Sequence, residues 1–306
     1  MFARLLFPVL LCVASPLAAA TYGVTLIDRS QIFIKALEGG FTDAAASMPD
    51  TDLEIMDAQN STETQLEQVQ KLIDMKVDAL IVNAVSADSG LTISRMAQKA
   101  RIPLVFVNAK PLNWEVLQGP QVYVGSPETQ SGSLEVGYIC DALGNTGTVS
   151  ILVGDLVSEA ARERTKAYYS ELATDHCSGV TIQAEAFGNW SVDGGRAIME
   201  KWLAEGPLPD AVVANNDDMA LGAIAALDEA GIDHSTILIG GIDGTATARK
   251  AMAEGKLDVT VLQNAAEQAR GAIVSAQQLL AGETLPPQVW IPFELVKPAD
   301  ASVAMN

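Results

Sequence analysis

The feature that most restricts the fold of this chain is an alternation running through nearly all of it. Short, β-branched apolar runs are separated by longer segments of helical period. Residues 22–27, 53–57, 78–83, 104–108 and 122–124 read as strands. Residues 33–47, 63–75 and a stretch ending near Ala100 read as helices between them. The rhythm then restarts. Helices at 129–143, 159–174, 193–204, 219–230, 246–253 and 266–280 alternate with strands at 149–153, 181–186, 211–215, 237–242, 259–262 and 289–294. A parallel strand pair needs a crossover, usually a helix, so this order predicts parallel sheets covered by helices on both faces. The halves also echo one another: Asp78-Ala79 precedes Asn83 at the spacing that separates Asp210-Ala211 from Asn215. The expected fold class is α/β, with two similar doubly wound parallel-sheet lobes.

The N-terminus reads as a leader. Met1 to Ala20 carries one charge, Arg4, then an apolar stretch from Leu5 to Val13 and the small residues Ala18-Ala19-Ala20. The stretch is too short to span a bilayer and fits a secretory signal cleaved after Ala20. The competing reading is a buried N-terminal helix. Cys12 follows Leu11 rather than a small residue, which argues against lipoprotein processing. The expectation is an exported, periplasmic protein, soluble after cleavage. Residues 21–306 are too many for one ordinary core. A formal charge of −19 repels phosphate backbones and argues against a nucleic-acid partner. Past the leader, Cys140 and Cys177 stand near helix ends on either side of one strand. In an oxidising compartment they either pair or remain two buried thiols.

In open parallel sheets, ligands bind beyond the carboxyl ends of the strands. The residues just after each apolar run are therefore the candidates: Gln31, Phe33, Asn108, Arg164, Trp190, Asn215, Asn216, Asp217, Asp243, Gln263 and Asn264. Amides donate and accept, carboxylates accept in pairs, and Arg donates through a planar fork. An aromatic ring covers an apolar C–H face. Such a set recognises a small polyhydroxylated molecule. Taken singly, each has a blander reading: an Asn after a strand is often a turn former, Asp243 a helix cap before Thr245, and Arg164 a surface residue. Arg164 and Asp243 are expected to pair, each keeping the other ionised as a cleft dries.

Gly23-Val24-Thr25-Leu26, Asn108-Ala109-Lys110-Pro111, Ala161-Arg162-Glu163-Arg164, the run from Ala214 through Asn216, Asp217 and Asp218 to Ala223, and Gly241-Ile242-Asp243-Gly244-Thr245 occur in that order. In these the chain resembles the periplasmic sugar-binding proteins of the ribose and galactose type, a type I periplasmic binding protein family. The resemblance implies two lobes joined by a three-crossing hinge, closing on a ligand. It implies lobes at residues 21–124 plus 265–290 and 125–264 plus 291–306. It further implies a sugar-type ligand, no cofactor, no metal, a monomer, and a membrane permease of an ABC importer as partner. By the same resemblance Arg164, Asn216 and Asp243 are the polar contacts of the second lobe and Trp190 its stacking aromatic. Phe33 and Asn108 belong to the first, with Gln31 where galactose binders carry Asp. Gln263 stands where ribose binders have Gln. The chain departs from galactose binders at Ser158 and Ala160, where they carry His and Asp, and its 143–147 turn lacks their calcium loop. Gly188-Asn189-Trp190-Ser191, residues 257–265 and residues 291–296 resemble the inositol- and rhizopine-binding branch. The preferred ligand is myo-inositol or a derivative, the alternative another monosaccharide or polyol.

A sugar-active exported enzyme is the rival class. His176 and His234 lie in loops without metal-ligand spacing, and no nucleophile elbow or phosphate loop is present. Asp217-Asp218 reads as a surface or cap pair. A repressor's effector domain would need a DNA-binding module where the leader stands.

Overall fold

The computed structural model describes residues 19–155 and 157–300. The leader reading thus falls almost wholly outside the described residues. The first sheet is built from β1 (Ala20–Leu26), β2 (Thr51–Asp57), β3 (Ala79–Val82), β4 (Leu104–Val107), β5 (Gln121–Gly125) and β11 (Gln288–Trp290), in the order β11-β5-β4-β3-β1-β2. The second holds β6 (Gly147–Val153), β7 (Val180–Phe187), β8 (Ala211–Ala214), β9 (Leu238–Asp243), β10 (Val259–Gln263) and β12 (Phe293–Val296), in the order β12-β10-β9-β8-β6-β7. Each sheet orders its strands the same way, so the second half repeats the first.

Helices α1 (Ile32–Ser47), α2 (Thr62–Asp74), α3 (Ala87–Ala100) and α9 (Ala265–Leu280) cover the first sheet. Helices α4 (Glu128–Ala142), α5 (Glu159–Leu172), α6 (Val192–Glu205), α7 (Asp217–Ala230) and α8 (Ala246–Ala253) cover the second. β3, β4 and β8 are buried end to end, as strands covered on both faces must be. One core packs Leu37 and Phe41 of α1 with Ala269, Ala272 and Ile273 of α9 against Val24, Ile81 and Val105. Gly40 permits that approach, since a Cβ there would lie 2.9 Å from the Cα of Ala266.

The echoed Asp and Asn residues do the same work in both sheets. Asp78 Oδ2 accepts from Thr21 N at 2.7 Å, and Asp210 Oδ2 from Thr148 N at 2.8 Å, tying each first strand at its start. Asn83 Oδ1 accepts from Ile27 N at 3.1 Å, and Asn215 Oδ1 from Gly154 N at 3.0 Å, tying it at its end.

One expected strand differs. Residues 289–294 divide at Ile291-Pro292 into β11, parallel to β5, and β12, antiparallel to β10. Proline has no N–H for a ladder and marks the break. The second sheet therefore has an antiparallel edge. The chain passes between sheets after β5, after β10 and between β11 and β12. Cys140 at the end of α4 is bonded to Cys177, with Cα atoms 5.4 Å apart. Among the described residues no helix is long and apolar enough to cross a membrane.

Candidate functional site

Helix starts and strand ends of both lobes converge on one cavity of about 180 Å³. That is smaller than the roughly 300–1,000 Å³ of a drug-sized site, and suits a single small ring. The eight residues that the resemblance marks as ligand contacts all line it, while Asn215, Asp217 and Asn264, also at strand ends, do not.

The first lobe supplies amides. Gln31 precedes α1, and Phe33, in its first turn, is buried. Asn108 follows β4 with φ 64°, a left-handed backbone that Asn adopts more readily than most residues. Its side chain is held from behind, because Asn83 Nδ2 donates to Asn108 Oδ1 at 3.2 Å and to the Val107 carbonyl at 3.3 Å. The Tyr123 hydroxyl donates to the Asn108 carbonyl at 2.8 Å.

The second lobe supplies charge. Arg164 lies one turn into α5 and is 3 % exposed, so it is not a surface residue. Its Nε donates to Glu128 Oε2 at 2.7 Å, Nη1 to the Asn215 carbonyl at 2.6 Å, and Nη2 to Gln263 Oε1 at 3.3 Å. Asp243 Oδ1 stands 3.5 Å from Nη1. The expected pairing with Asp243 thus exists, but Glu128 is the nearer partner. The guanidinium carbon lies 5.7 Å from the ring centroids of both Trp190 and Phe293, within cation–π range. Trp190 sits in a left-handed stretch, with φ 50° at Asn189 and 62° at Trp190. Gly154 lets the ring settle there, since any Cβ at that position would come within 2.4 Å of it.

Electrostatics follow burial. Asp243 is pushed well above the ordinary carboxylate range by burial; Arg164 opposes this without overcoming it, contrary to the expectation that the pair keeps both charges, and Asp217, Asp218 and Glu128 add to the push. A carboxyl so placed serves a ligand hydroxyl as acceptor or, protonated, as donor. Glu159 is also raised, by burial first, with Lys110 pulling it back.

Several roles differ from expectation. Asn216 lines the cavity, but its Oδ1 caps α7 by accepting from Met219 N at 3.1 Å, and its Nδ2 holds the Trp190 carbonyl at 3.3 Å. Gln263 bridges Arg164 to Glu128. Asp243 is not a helix cap, because Thr245 Oγ1 caps α8 by accepting from Ala248 N at 3.2 Å. Asp217 and Asp218 are both buried rather than a surface pair. Asp217 accepts from Thr245 N and Thr260 Oγ1, each at 2.7 Å, and burial raises it to about 7. His234 is mostly enclosed, 2.9 Å from Asp228 Oδ1, whereas His176 is exposed.

Sequence reasoning passed over Glu128, Lys110, Glu159 and Asp155. Asp155, Lys110 and Glu159 line the cavity, and Glu128 stands behind Arg164. Lys110 Nζ reaches across the cleft to Glu159 Oε1 at 2.9 Å. Three rings hold the ammonium in place, with centroids at 5.2 Å for Trp114, 5.5 Å for Trp290 and 6.0 Å for Tyr123. Lys110 stood inside a quoted motif, but nothing local announces its partner. Glu128 and Glu159 read in sequence as ordinary acids of a first helical turn.

Two doubly wound lobes, three chain passages and a polar cavity between them define a hinged binding protein. The chain belongs to the periplasmic binding protein family, whose domain signature matches residues 22–284. Within that family it is a solute-binding protein of ABC transporters and not an enzyme. It is 42 % identical over 282 residues to a protein of Rhizobium meliloti named for rhizopine binding, covering 92 % of this chain and 91 % of that one. It is 34 % identical over 264 residues to a xylitol-binding protein of Mycolicibacterium smegmatis, covering 85 % and 72 %. An ABC transporter solute-binding protein of Bacillus halodurans, solved with bound myo-inositol, superposes with a TM-score of 0.85 at 34 % identity, over 94 % of this chain and 97 % of that one.

Proposed function

We propose that the cleft captures a cyclitol, myo-inositol or an inositol derivative, and delivers it to the permease of an ABC importer. The observation that carries this is Arg164, buried and already compensated by Glu128 and Asp243, facing a cavity of about 180 Å³ whose opposite wall offers amides. A cyclitol presents hydroxyls all round its ring, and in a dry cleft each needs a partner. Asp243, Asn108, Gln31 and the Arg164 fork meet those hydroxyls, while Trp190 and Phe33 cover the ring's C–H faces. Asn216 and Gln263 hold the other groups in place. The relatives named for rhizopine and solved with myo-inositol support the cyclitol reading. The reading places the protein in the periplasm as a monomer, after loss of a leader ending at Ala20. It takes residues 21–124 plus 265–290 as one lobe and 125–264 plus 291–306 as the other.

The test is thermal unfolding of the protein from Thr21 onward with myo-inositol, xylitol, D-ribose or D-allose. A ligand at about a hundred times its dissociation constant stabilises by roughly 2.7 kcal/mol. Myo-inositol should raise the midpoint most. A larger rise with ribose or allose moves the protein to the sugars, and with xylitol to the open-chain polyols, either of which overturns the cyclitol assignment.

A further inference from the structure

Helix α1 carries Gln31 and Phe33 onto the cleft, yet its start lacks both usual stabilisers. Gln31, its N-cap residue, makes no side-chain cap hydrogen bond, and the first turn holds no acidic residue. Each of the other described α-helices has a side-chain cap or a first-turn acid. Ser61, Ser86, Ser191, Asn216, Thr245 and Asn264 cap six of them. The remaining two begin with Glu128 and Glu159. An uncapped helix start leaves N–H groups unpaired and an uncompensated positive dipole end.

The missing acid comes from the other lobe. Asp218 Oδ2 accepts from the Ile32 backbone N at 3.3 Å, across 186 residues of sequence. Asp218 itself is 5 % exposed, and its Oδ1 has no hydrogen-bond partner. It does not line the main cavity, but faces a neighbouring hollow with Ser30, Gln31, Ile32, Trp190 and Asp193. Burial raises its carboxyl to about 6, and the Ile32 N–H opposes that rise by favouring the ionised form, as a helix N-terminus does. Ile32 follows β1, which two strands separate from β5 and the hinge edge of its sheet. A contact so far from the hinge forms only when the lobes are shut.

We propose that Asp218 is a positioning residue for ligand binding: it caps helix α1 across the cleft, so that closure itself sets Gln31 and Phe33 against the ligand. The proposal rests on the cleft being the binding site, but not on which polyol it takes. Affinity then depends on a carboxylate that does not touch the ligand. Asp218→Ala leaves the α1 start unpaired in the closed form, whereas Asp218→Asn keeps an acceptor oxygen.

Ile32→Pro supplies the control. Proline at the first helical position lacks the N–H and has a φ suited to the helix. Gln31 before it already has the extended backbone that a following proline requires, with φ −74° and ψ 134°. The four proteins of the cycle, and Asp218→Asn, are titrated calorimetrically with myo-inositol, then xylitol, D-ribose and D-allose. Asp218→Ala should weaken the best of these about tenfold in the wild-type background, equal to about 1.4 kcal/mol. In the Ile32→Pro background it should weaken it less than about twofold, and Asp218→Asn should recover most of the loss. An equal loss in both backgrounds, or no loss in either, overturns the proposal. Should the wild type bind none of the four, the ligand reading fails by itself. The same cycle is then run with the best binder from a wider screen of sugars and polyols, and the same outcomes decide on the cap.

Discussion

On the cleft the first lobe presents the amides Gln31, Asn83 and Asn108 and one cation, Lys110, while the second presents Arg164, Asp243, Asp155 and Glu159. The frames behind these groups match: Asp78 and Asn83 pin the first sheet as Asp210 and Asn215 pin the second. The scaffold was repeated and the buried charge cluster was not. A buried charge is tolerable only with partners held in place beside it. Arg164 finds them in Glu128, Gln263 and Asp243, all within the second lobe, so its network needs nothing from the first. Amides cost less to wet and dry again, which suits a lobe whose cleft face is dehydrated at each closure. The pairs that cross the cleft, Lys110–Glu159 and Ile32–Asp218, are the exceptions, and they report closure.

The contrast breaks most sharply at Arg164. Arg164→Met should cost about 3–5 kcal/mol in urea unfolding and abolish binding, because Glu128 and Asp243 are left buried without a cation. A stable variant that still binds would mean the second lobe does not depend on its charge network. Next in size is the Cys140–Cys177 bond, which belongs to the second lobe alone. The double serine variant should lose about 2–4 kcal/mol, with the loss seen at second-lobe amides in hydrogen exchange.

A third test uses pH. Glu135 accepts from the Tyr168 hydroxyl and from Ala214 N, and burial raises it to about 8. Below the ordinary Glu range of about 4.3, folded and unfolded chains are both protonated there. As pH rises toward 8, the unfolded chain releases the proton while the folded one keeps it, so stability falls. Asp217, at about 7, adds to the same slope. Between about pH 5 and pH 8 Glu135 alone should cost the wild type about 3 kcal/mol of stability, and Glu135→Gln should make the fall shallower by that amount while the Asp217 contribution remains. An unchanged slope would remove Glu135 from the account. The smallest effect belongs to the crossing pair. Lys110→Met should weaken the ligand by about 1 kcal/mol with little change in the free protein's stability, and Glu159→Gln added to it should cost nothing more.

Much of this was legible in the sequence because it is local. Strand period, helix period and their alternation determined the α/β class, and the positions after apolar runs picked out eleven residues, of which eight line one cavity. The Asp78/Asn83 and Asp210/Asn215 spacings announced two matching frames. What residues do to one another was less legible. Asn216 lines the cavity and also holds Met219 N and the Trp190 carbonyl, because a residue at a strand end is also a residue at a helix start. Residues 289–294 have the length of one strand, but Pro292, with no N–H for a ladder, already marks a break there, and pairing with different neighbours completes the division. Glu128 and Asp218 each sit in a helical first turn, where an acid needs no further explanation. Their partners stand 36 and 186 positions away. The sequence by itself determined where strands end and which polar groups stand there, since both depend on neighbours along the chain. Tertiary structure decided which of those groups are buried and paired, since desolvation and hydrogen bonding depend on neighbours in space.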